Sequence, residues 1–396
     1  MDDYITLAIT SENIKTIHHL FDLEAGNHRD ARELLNEEIK GFLIKTADDS
    51  YTLNSEKSSK GSETLHSTHG AITESFLKFV KPTHIKEKAT TKDTIKILDI
   101  CSGIGYNTAA IIEELKDINN VNIEIDMVEL SVETLATALF IPSPIPSYKI
   151  VKKTIEQKLL KENYLQFQTF FDETPENIKI NINIIDARQF IQKTKSNYDL
   201  VFLDPFSPIK APELYTVEFF EEIKKHLTTN ALILTYTAAA PVRAAFIESG
   251  YHIGEGPEFH RSGGTIATLD MNELEKPLKS TDERMIGLSD VGIPFTDPNL
   301  NDSLENIYKR RQEERSKLKF NKLFPSTEKL PLYLGSNPEE IEDEKLKNKL
   351  TNYVQKMGFN SLNDPEIIDI LKIPEESLGN SAEVIIQLRH NILNRN

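Results

Sequence analysis

Apolar segments alternate with amphipathic segments from about residue 94 to residue 250, which predicts a parallel β-sheet with crossover helices. The predicted strands cover residues 95–100, 122–129, 180–185, 198–204 and 231–236. The predicted helices lie near residues 106–116, 131–139, 187–193, 216–227 and 241–249. Pro241 and Gly250 support the last helix, because proline is favoured in a first turn and glycine just after an end. The pattern indicates an α/β fold with a doubly wound sheet.

One connection in this pattern is unusually long. Residues 141–181 exceed a normal crossover, and they begin with Ile-Pro-Ser-Pro-Ile-Pro, which breaks secondary structure. We interpret this stretch as an insertion that forms a wall or lid over the site, with a helix over Ile150–Leu165. Farther along the chain, strand-like segments at 251–254 and 265–269 predict a hairpin that closes the sheet.

The regions on either side of the alternation have a different composition. We predict an N-terminal extension over 1–90, with a short strand at Tyr4–Ile9 and a polar loop at Asn54–Glu63. The central domain then covers 91–275. An extended loop and a charged helix follow over 276–330, and a small acidic helical module covers 331–396.

Composition narrows the class of protein. The 396 residues are 39% hydrophobic and 27% charged, as in a soluble globular protein, and no apolar run reaches the roughly 18–20 residues of a membrane span. The single Cys101 excludes an internal disulfide, and the first residues lack the features of a signal peptide, so we expect a cytoplasmic protein. The net charge of −16 argues against broad nucleic-acid binding but leaves room for a local basic patch.

The most informative segment is a glycine turn between a strand and a helix, within residues 95–107. The apolar run ends near Asp99, and Gly103 and Gly105 then make a tight turn before the helix. Glycine lets the backbone approach a ligand, and the helix start offers free N–H groups. A dinucleotide site would have a third glycine three residues later, where this chain has Thr108.

Acidic residues end three successive predicted strands: Asp99, Glu129 and Asp186. Ligands of open parallel sheets bind at the carboxyl ends of the strands. The carboxylate of Glu129 can accept hydrogen bonds from both hydroxyls of a ribose. Each acid also precedes a helix, so helix capping is the alternative interpretation. Their common position after a glycine turn favours a shared ligand site.

The Asp-x-Cys-x-Gly-x-Gly sequence of the turn resembles motif I of class I S-adenosylmethionine (AdoMet) methyltransferases. The resemblance implies a Rossmann-like fold, AdoMet as cofactor and S-adenosyl-L-homocysteine as product. It also implies a set of cofactor-binding residues, in which Asp186 beside Ala187 resembles the adenine-contacting motif. The set is Asp99, Ser102, Gly103, Gly105, Glu129, Leu130, Asp186, Ala187, Asp204 and Glu74.

Three further segments resemble the MnmC-like family, which completes the methylaminomethyl group on the tRNA wobble uridine. They are Asp204-Pro-Phe-Ser-Pro followed by Pro-Glu-Leu-Tyr-Thr, His66-Ser-Thr-His-Gly-Ala-Ile-Thr-Glu-Ser75, and Thr235-Tyr-Thr-Ala-Ala-Ala-Pro-Val-Arg243. The similarity covers roughly residues 50–300 and implies a stand-alone form without the oxidase domain. It implies N-methylation of an aminomethyl group, with tRNA as partner.

Roles can be assigned to the remaining candidates under this resemblance. Asp204 is placed to accept a hydrogen bond from an amine and direct its lone pair, Phe206 to stack on a base, and Tyr215 to close the pocket. Plain packing is the alternative for both aromatic residues. We assign His66, His69 and Arg243 to substrate binding, although Arg243 equally suits pairing with a nearby acid. No third ligand accompanies the two histidines, so we predict no metal site.

Three other functions stay open at this point. A methyltransferase of the same fold that acts on a small molecule or coenzyme precursor fits the acidic composition. An aminopropyltransferase would share the sheet, but its Asp-Ser-x-Asp-Pro pattern is missing around Asp204. A non-catalytic AdoMet-binding protein is disfavoured because the acids and glycines of the site are intact.

Overall fold

A computed structural model describes residues 9–57, 61–118, 120–260, 263–320 and 330–394. Most of the predicted strand at Tyr4–Ile9, and residues 58–60 of the predicted polar loop, lie outside these ranges. The chain divides into two compact units. The first consists of Met1–Leu214, Glu222–Tyr236 and Gly256–Gly264, and the second of Tyr215–Glu221, Thr237–Glu255 and Thr265–Asn396. This division differs from the predicted segments, whose boundaries stay predictions.

Short elements form the N-terminal part of the first unit. They are α1 (Ser11–Ala25), α2 (Ala31–Lys40), β1 (Ile44–Lys45), β2 (Tyr51–Thr52), α3 (Ala71–Glu74), which continues as a π-helix (Ser75–Val80) and a 3-10 turn (Lys81–Thr83), and α4 (Ile85–Lys88). Thr10 caps α1 by accepting a hydrogen bond from the Asn13 backbone N–H. Arg32 on α2 pairs with the buried carboxylates of Glu24 and Glu156. The N-terminal helices are thereby tied to a helix of the sheet region.

Five parallel strands form the sheet of the first unit, as the apolar runs predict. They are β3 (Thr94–Ile100), β4 (Asn122–Glu129), β5 (Ile178–Ile184), β6 (Tyr198–Leu203) and β7 (Leu227–Thr235). Their order across the sheet is β5-β4-β3-β6-β7. Chain order therefore reverses beside β3, and this topological switch point is where such sheets bind ligands, at the carboxyl ends of the strands.

The predicted crossover helices are also present. They are α5 (Tyr106–Leu115), α6 (Val132–Ala138), α7 (Tyr148–Lys161), α8 (Ala187–Lys193), α9 (Val217–Lys224) and α10 (Ala240–Glu248). The insertion helix α7 begins two residues before its predicted start and ends four residues before its predicted end. Asn163 explains the earlier end, because its φ of 65° is a left-handed conformation that stops a helix.

The second unit contains the predicted hairpin and a group of helices. Strands β8 (His252–Glu255) and β9 (Thr265–Thr268) pair antiparallel. The helices are α11 (Ser280–Gly287), α12 (Leu304–Phe320), α13 (Leu330–Tyr333), α14 (Glu344–Lys356), α15 (Pro365–Ile370) and α16 (Ser381–Leu393). Buried side chains such as Leu350, Ile367 and Leu388 form their common core. Within the described ranges, none of the helices is both long and apolar enough to cross a membrane.

The glycine turn between β3 and α5 has no room for a side chain at Gly105, because neighbouring elements pack closely against it. Gly105 has a φ of +87°, and an added Cβ would lie 2.6 Å from Cγ1 of Val151 on α7 and 3.1 Å from Cε of Met127 on β4. Glycine at this position therefore lets the insertion helix and the neighbouring strand approach the turn closely.

We predict that Gly105→Ala destabilises the protein and weakens AdoMet binding, because it combines a left-handed backbone with a clash. The left-handed backbone at a residue other than glycine costs about 1–2 kcal/mol of folding stability, and the clash costs about 1–3 kcal/mol. Gly358→Ala is the matched control, since Gly358 has a φ of +94° and open space around a Cβ. Thermal unfolding and isothermal titration with AdoMet measure both effects. Equal behaviour of the two variants would contradict the steric account.

Candidate active site

A cavity of about 830 Å³ lies at the carboxyl ends of the first unit's strands. Its wall includes the residues that directly follow β3, β4, β5 and β6, together with residues of the N-terminal region. A volume of this size suits a ligand as large as a nucleoside derivative. Nine predicted site residues line this cavity: His66, Glu74, Gly103, Glu129, Leu130, Asp186, Ala187, Asp204 and Phe206.

Glu129, at the end of β4, is half-buried, and two backbone N–H groups hold its carboxylate. Gly103 N–H donates to Oε2 and Ser131 N–H donates to Oε1, both at 2.9 Å. Burial raises the pKa of the Glu129 carboxyl, and these backbone donors act in the opposite direction. The carboxylate therefore links the glycine turn after β3 to the start of α6 and still faces the cavity.

Asp99 lies behind the glycine turn rather than in the cavity wall. Its side chain is 0% exposed, and Thr108 Oγ1 donates a hydrogen bond of 2.7 Å to Oδ2. Burial raises the pKa of the Asp99 carboxyl to about 7. Thr108, which stands where a dinucleotide site has its third glycine, thus connects α5 to β3. The arrangement supports a positioning role for Asp99, and direct contact with the cofactor stays a prediction.

Asp186 lines the cavity and also caps a helix, so both interpretations of this acid apply. Its Oδ1 accepts a hydrogen bond of 2.8 Å from the Arg188 N–H, and Oδ2 lies 3.0 Å from the Arg188 guanidinium. By contrast, Ser131 is the residue that caps α6 after Glu129. Of the three acids, only Asp186 therefore has the capping role at its helix start.

Asp204, directly after β6, is a nearly buried acid of the cavity wall. Asn107 Nδ2 donates a hydrogen bond of 2.9 Å to Oδ2, and Nδ1 of His66 lies 3.9 Å from the same oxygen. Only 8% of the Asp204 side chain is exposed. Burial, and then the negative charge of Glu74, raise the pKa of the Asp204 carboxyl well above its usual value. A carboxyl in this state readily accepts and retains a proton.

Asn107 was not among the predicted site residues. It lies in the first turn of α5, two residues after Gly105, and its amide reaches across 97 sequence positions to Asp204. The signal in the sequence that points to Asn107 is its position at the start of a helix beside the glycine turn. Nothing in the sequence indicates which partner the amide selects.

His66 and Glu74 are the titratable neighbours of Asp204 in the cavity wall. Burial lowers the pKa of His66 to about 4, so its imidazole is neutral at pH 7. Burial raises the pKa of the Glu74 carboxyl. Glu74 Oε2 accepts a hydrogen bond of 2.8 Å from the Ser67 N–H, and Oε1 lies 3.9 Å from Nζ of Lys78. His66 can therefore serve as a neutral hydrogen-bonding group beside the carboxylates.

An N-terminal flap, defined here as residues 53–57 and 61–67, forms one wall of the cavity. Glu63 accepts hydrogen bonds from both the backbone N–H, at 2.9 Å, and the hydroxyl of Ser207 in the loop after β6. Lys210 Nζ donates to Ser55 Oγ at 2.8 Å in the same region. These contacts join residues more than 140 positions apart and tie the flap to the loop that carries Asp204.

The lining has a strongly acidic character. It contains seven carboxylate side chains and, among the described residues, no lysine or arginine. Closely spaced acids in a buried space favour a cationic ligand, since a cation offsets their mutual repulsion. The seven are Glu63, Glu74, Glu129, Glu133, Asp186, Asp204 and Glu213.

Besides Asp99 and Gly105, four predicted residues lie outside the wall of this cavity. Ser102 is buried within the turn, and His69 lines a smaller, second cavity. Tyr215 is fully buried and belongs to the second unit, and its catalytic role stays a prediction. Arg243, also in the second unit, is 0% exposed, and its guanidinium pairs with Asp282 at 2.6 Å.

Arg243 is further tied down by its neighbours. Its Nε donates a hydrogen bond of 2.9 Å to Thr265, and its guanidinium lies 3.3 Å from Glu255. The contacts match the alternative prediction for this residue, pairing with nearby acids. A structural role therefore accounts for Arg243 better than contact with a substrate phosphate.

Comparison with known proteins identifies the class. Residues 149–270 match the family described as S-adenosyl-L-methionine-dependent methyltransferase. An uncharacterised protein of Methanocaldococcus jannaschii is 34% identical over 366 residues, which span 92% of this chain and 90% of that protein. The crystal structure of MnmC2 from Aquifex aeolicus superimposes with a TM-score of 0.58 and 26% identity over 78% of this chain and 100% of that chain.

The bifunctional tRNA 5-methylaminomethyl-2-thiouridine biosynthesis protein MnmC of Ralstonia nicotianae is also similar. It is 30% identical over 84 residues, which cover 21% of this chain but only 13% of that protein. The family match and the similar structure identify the protein as an S-adenosyl-L-methionine-dependent methyltransferase. Within that class, the chain belongs to the MnmC-like family.

The residues around the glycine turn fit AdoMet. A Cβ at Gly103, which has a φ of +53°, would lie 3.3 Å from Cδ2 of Leu65 in the cavity wall, so glycine keeps this space open. The acidic lining suits the positive charge of a sulfonium. We therefore expect Gly103, Glu129, Leu130, Asp186 and Ala187 to hold AdoMet.

We predict that Glu129→Ala lowers AdoMet affinity about 10- to 150-fold, because hydrogen bonds to a charged group contribute roughly 1.5–3 kcal/mol. The substitution also frees the Gly103 and Ser131 N–H groups. Glu133→Ala is the matched control: Glu133 lines the same cavity, but its carboxylate pairs with His18 and Ser131 Oγ. Isothermal titration with AdoMet measures both variants. Wild-type affinity in Glu129→Ala would contradict this assignment.

Proposed function

We propose that this enzyme transfers a methyl group to an amine nitrogen, and that its acceptor is an aminomethyl group on the wobble uridine of tRNA. The observation that supports it most directly is Asp204, a buried acid with a raised pKa at the end of β6, inside a cavity rich in carboxylates. Such a group can accept a proton from an ammonium ion as the nitrogen prepares to react.

AdoMet, when bound, supplies an electrophilic methyl group. The protein must provide an amine whose lone pair is free and correctly directed. Asp204 Oδ2 is fixed by Asn107, so the carboxylate can receive a hydrogen bond from the amine in a defined direction. Glu74 offers a second carboxylate in the same cavity wall. The low exposure of Asp204 keeps water away from the reacting groups.

The position of Phe206 suits an acceptor with a planar ring. Its ring lines the cavity two residues after Asp204, and Lys210 Nζ lies 5.6 Å from the ring centroid. Aromatic side chains stack on unpaired bases in proteins that recognise single-stranded RNA. We propose that Phe206 contacts the uracil ring while Asp204 holds the amine.

The choice of tRNA as the acceptor rests on the relatives. Several similar proteins are bifunctional proteins of tRNA 5-methylaminomethyl-2-thiouridine biosynthesis, and the chain matches 12–20% of the length of three of them. The similar structure from Aquifex aeolicus bears the MnmC2 name and is covered completely.

A methyltransferase for a small-molecule amine is the second candidate. The net charge of −16 and the acidic lining favour a compact cationic acceptor over a large polyanion. The two candidates share the amine chemistry at Asp204. They differ in whether the acceptor belongs to an RNA.

The deciding experiment uses labelled AdoMet and three acceptor pools. They are tRNA that carries 5-aminomethyluridine at the wobble position, the same tRNA without this modification, and a protein-free extract of small molecules. Label in the modified tRNA alone supports the first proposal. Label in the small-molecule pool alone would overturn the tRNA assignment and support the second candidate.

We predict that Asp204→Asn lowers kcat by about 10²- to 10⁴-fold, because asparagine keeps the size of the side chain but cannot take a proton. Its AdoMet affinity should stay within about threefold of wild type. Asp186→Asn is the comparison: we expect it mainly to raise KM for AdoMet. Turnover at the wild-type rate in Asp204→Asn would remove Asp204 from the catalytic residues.

We also predict an acid limb in the pH dependence of kcat. Activity requires the Asp204 carboxylate and is lost as pH falls through the raised pKa of this group. Asn107 stabilises the carboxylate by a hydrogen bond, so Asn107→Ala should raise the pKa further and move the limb to higher pH. A limb that stays in place or moves to lower pH would contradict the assigned role of Asn107.

A further inference from the structure

A second cavity of about 330 Å³ adjoins the AdoMet cavity within the first unit. The two cavities share Ser67, Glu74 and Tyr236 in their walls. The remaining wall includes His69, Lys78, Phe259 and His260. The methyl-transfer chemistry proposed above uses neither histidine of this second cavity.

The two histidines form an unusual exposed pair. Their rings are stacked, with centroids 3.8 Å apart and an interplanar angle of 22°. Phe259 contacts the edge of His260, with ring centroids 4.7 Å apart. Together with Tyr236, the pair gives the cavity a planar, aromatic lining.

The ionisable groups of this cavity differ from those of the first. Lys78 Nζ lies 3.9 Å from Glu74 and 5.9 Å from the centroid of Tyr236. The ammonium and the two imidazoles provide N–H donors to one small space. A metal ion here would meet the ammonium of Lys78, whereas an oxyanion could accept hydrogen bonds from all three side chains.

We propose that the second cavity is the phosphate subsite of the acceptor, where His69, His260 and Lys78 bind a phosphate group of an aminomethyl nucleotide. This inference rests on the proposed amine methylation. Carboxylates on the AdoMet side attract the amine, and the N–H donors of Lys78 and the two histidines on the other side suit the phosphate oxygens. An acceptor with both groups would therefore enter in one orientation, with its amine toward Glu74 and Asp204.

The phosphate could belong to an RNA chain or to a free nucleotide, and kinetics separate these sources. The acceptors are 5-aminomethyluridine, its 5′-monophosphate, and tRNA that carries the same base at the wobble position. For wild type we expect a KM about tenfold lower for the monophosphate than for the nucleoside. A still lower KM for the tRNA would identify the RNA chain as the source of the phosphate. Equal KM values for the tRNA and the monophosphate would identify a free nucleotide as the source.

The double variant His69→Phe, His260→Phe tests the site, because phenylalanine keeps an aromatic ring but lacks the imidazole N–H donors. We expect it to remove the preference for the monophosphate, so that nucleoside and monophosphate have equal KM values. Unchanged AdoMet affinity verifies that the variant is folded. His252→Phe, in the second unit, is the matched control and should retain the preference. Retention of the preference in the double variant would overturn the proposal.

A direct measurement separates this inference from the proposed function. In protein with ¹³C-labelled histidine, inorganic phosphate at millimolar concentration should shift the imidazole resonances of His69 and His260 but not that of His252. If this shift occurs but no aminomethyl compound is methylated, the proposed function fails and the anion site remains. If methylation occurs without the shift, the anion site is overturned and the methylation remains.

Discussion

Burial of carboxylates at the ends of neighbouring parallel strands is the constraint on which the site depends. Parallel strands place their carboxyl ends at one edge of the sheet, and here Glu129, Asp186 and Asp204 meet there around one cavity. Removing water from Glu129 and Asp204 costs free energy and raises their pKa values. The same carboxylates give the cavity a negative lining that suits a cationic ligand. A destabilising feature of the fold is thus the basis of the proposed binding and proton acceptance.

Hydrogen bonds offset part of this free-energy cost and also fix the positions of the carboxylates. Backbone N–H groups of Gly103 and Ser131 hold Glu129, and the Asn107 amide holds Asp204. Behind the turn, Thr108 holds Asp99. Each bond connects two elements around β3, so the acids and the glycine turn form one cross-linked unit. Loss of any one donor would leave a buried carboxylate less satisfied and the turn less constrained.

The sequence was most informative where the relevant residues are close together in the chain. The five strands, the glycine turn and the acids at the strand ends follow from local apolar patterns and turn chemistry. The contacts between distant residues do not, because Asn107 lies 97 positions from Asp204 and Glu63 lies 144 positions from Ser207. The neutral state of His66 also depends on burial by the assembled fold. Arg243 shows the same limit, since its acidic partners became evident only from the packed second unit.

The protonation state of Asp204 tests the central claim most directly. In protein with ¹³C-labelled aspartate, the carboxyl resonance that disappears in Asp204→Asn can be assigned and followed through a pH titration. We expect its midpoint well above the ordinary value of 3.8, because burial and Glu74 disfavour the charged form. A midpoint at or below 3.8 would show a permanently ionised carboxylate and contradict its role as the proton acceptor for the amine.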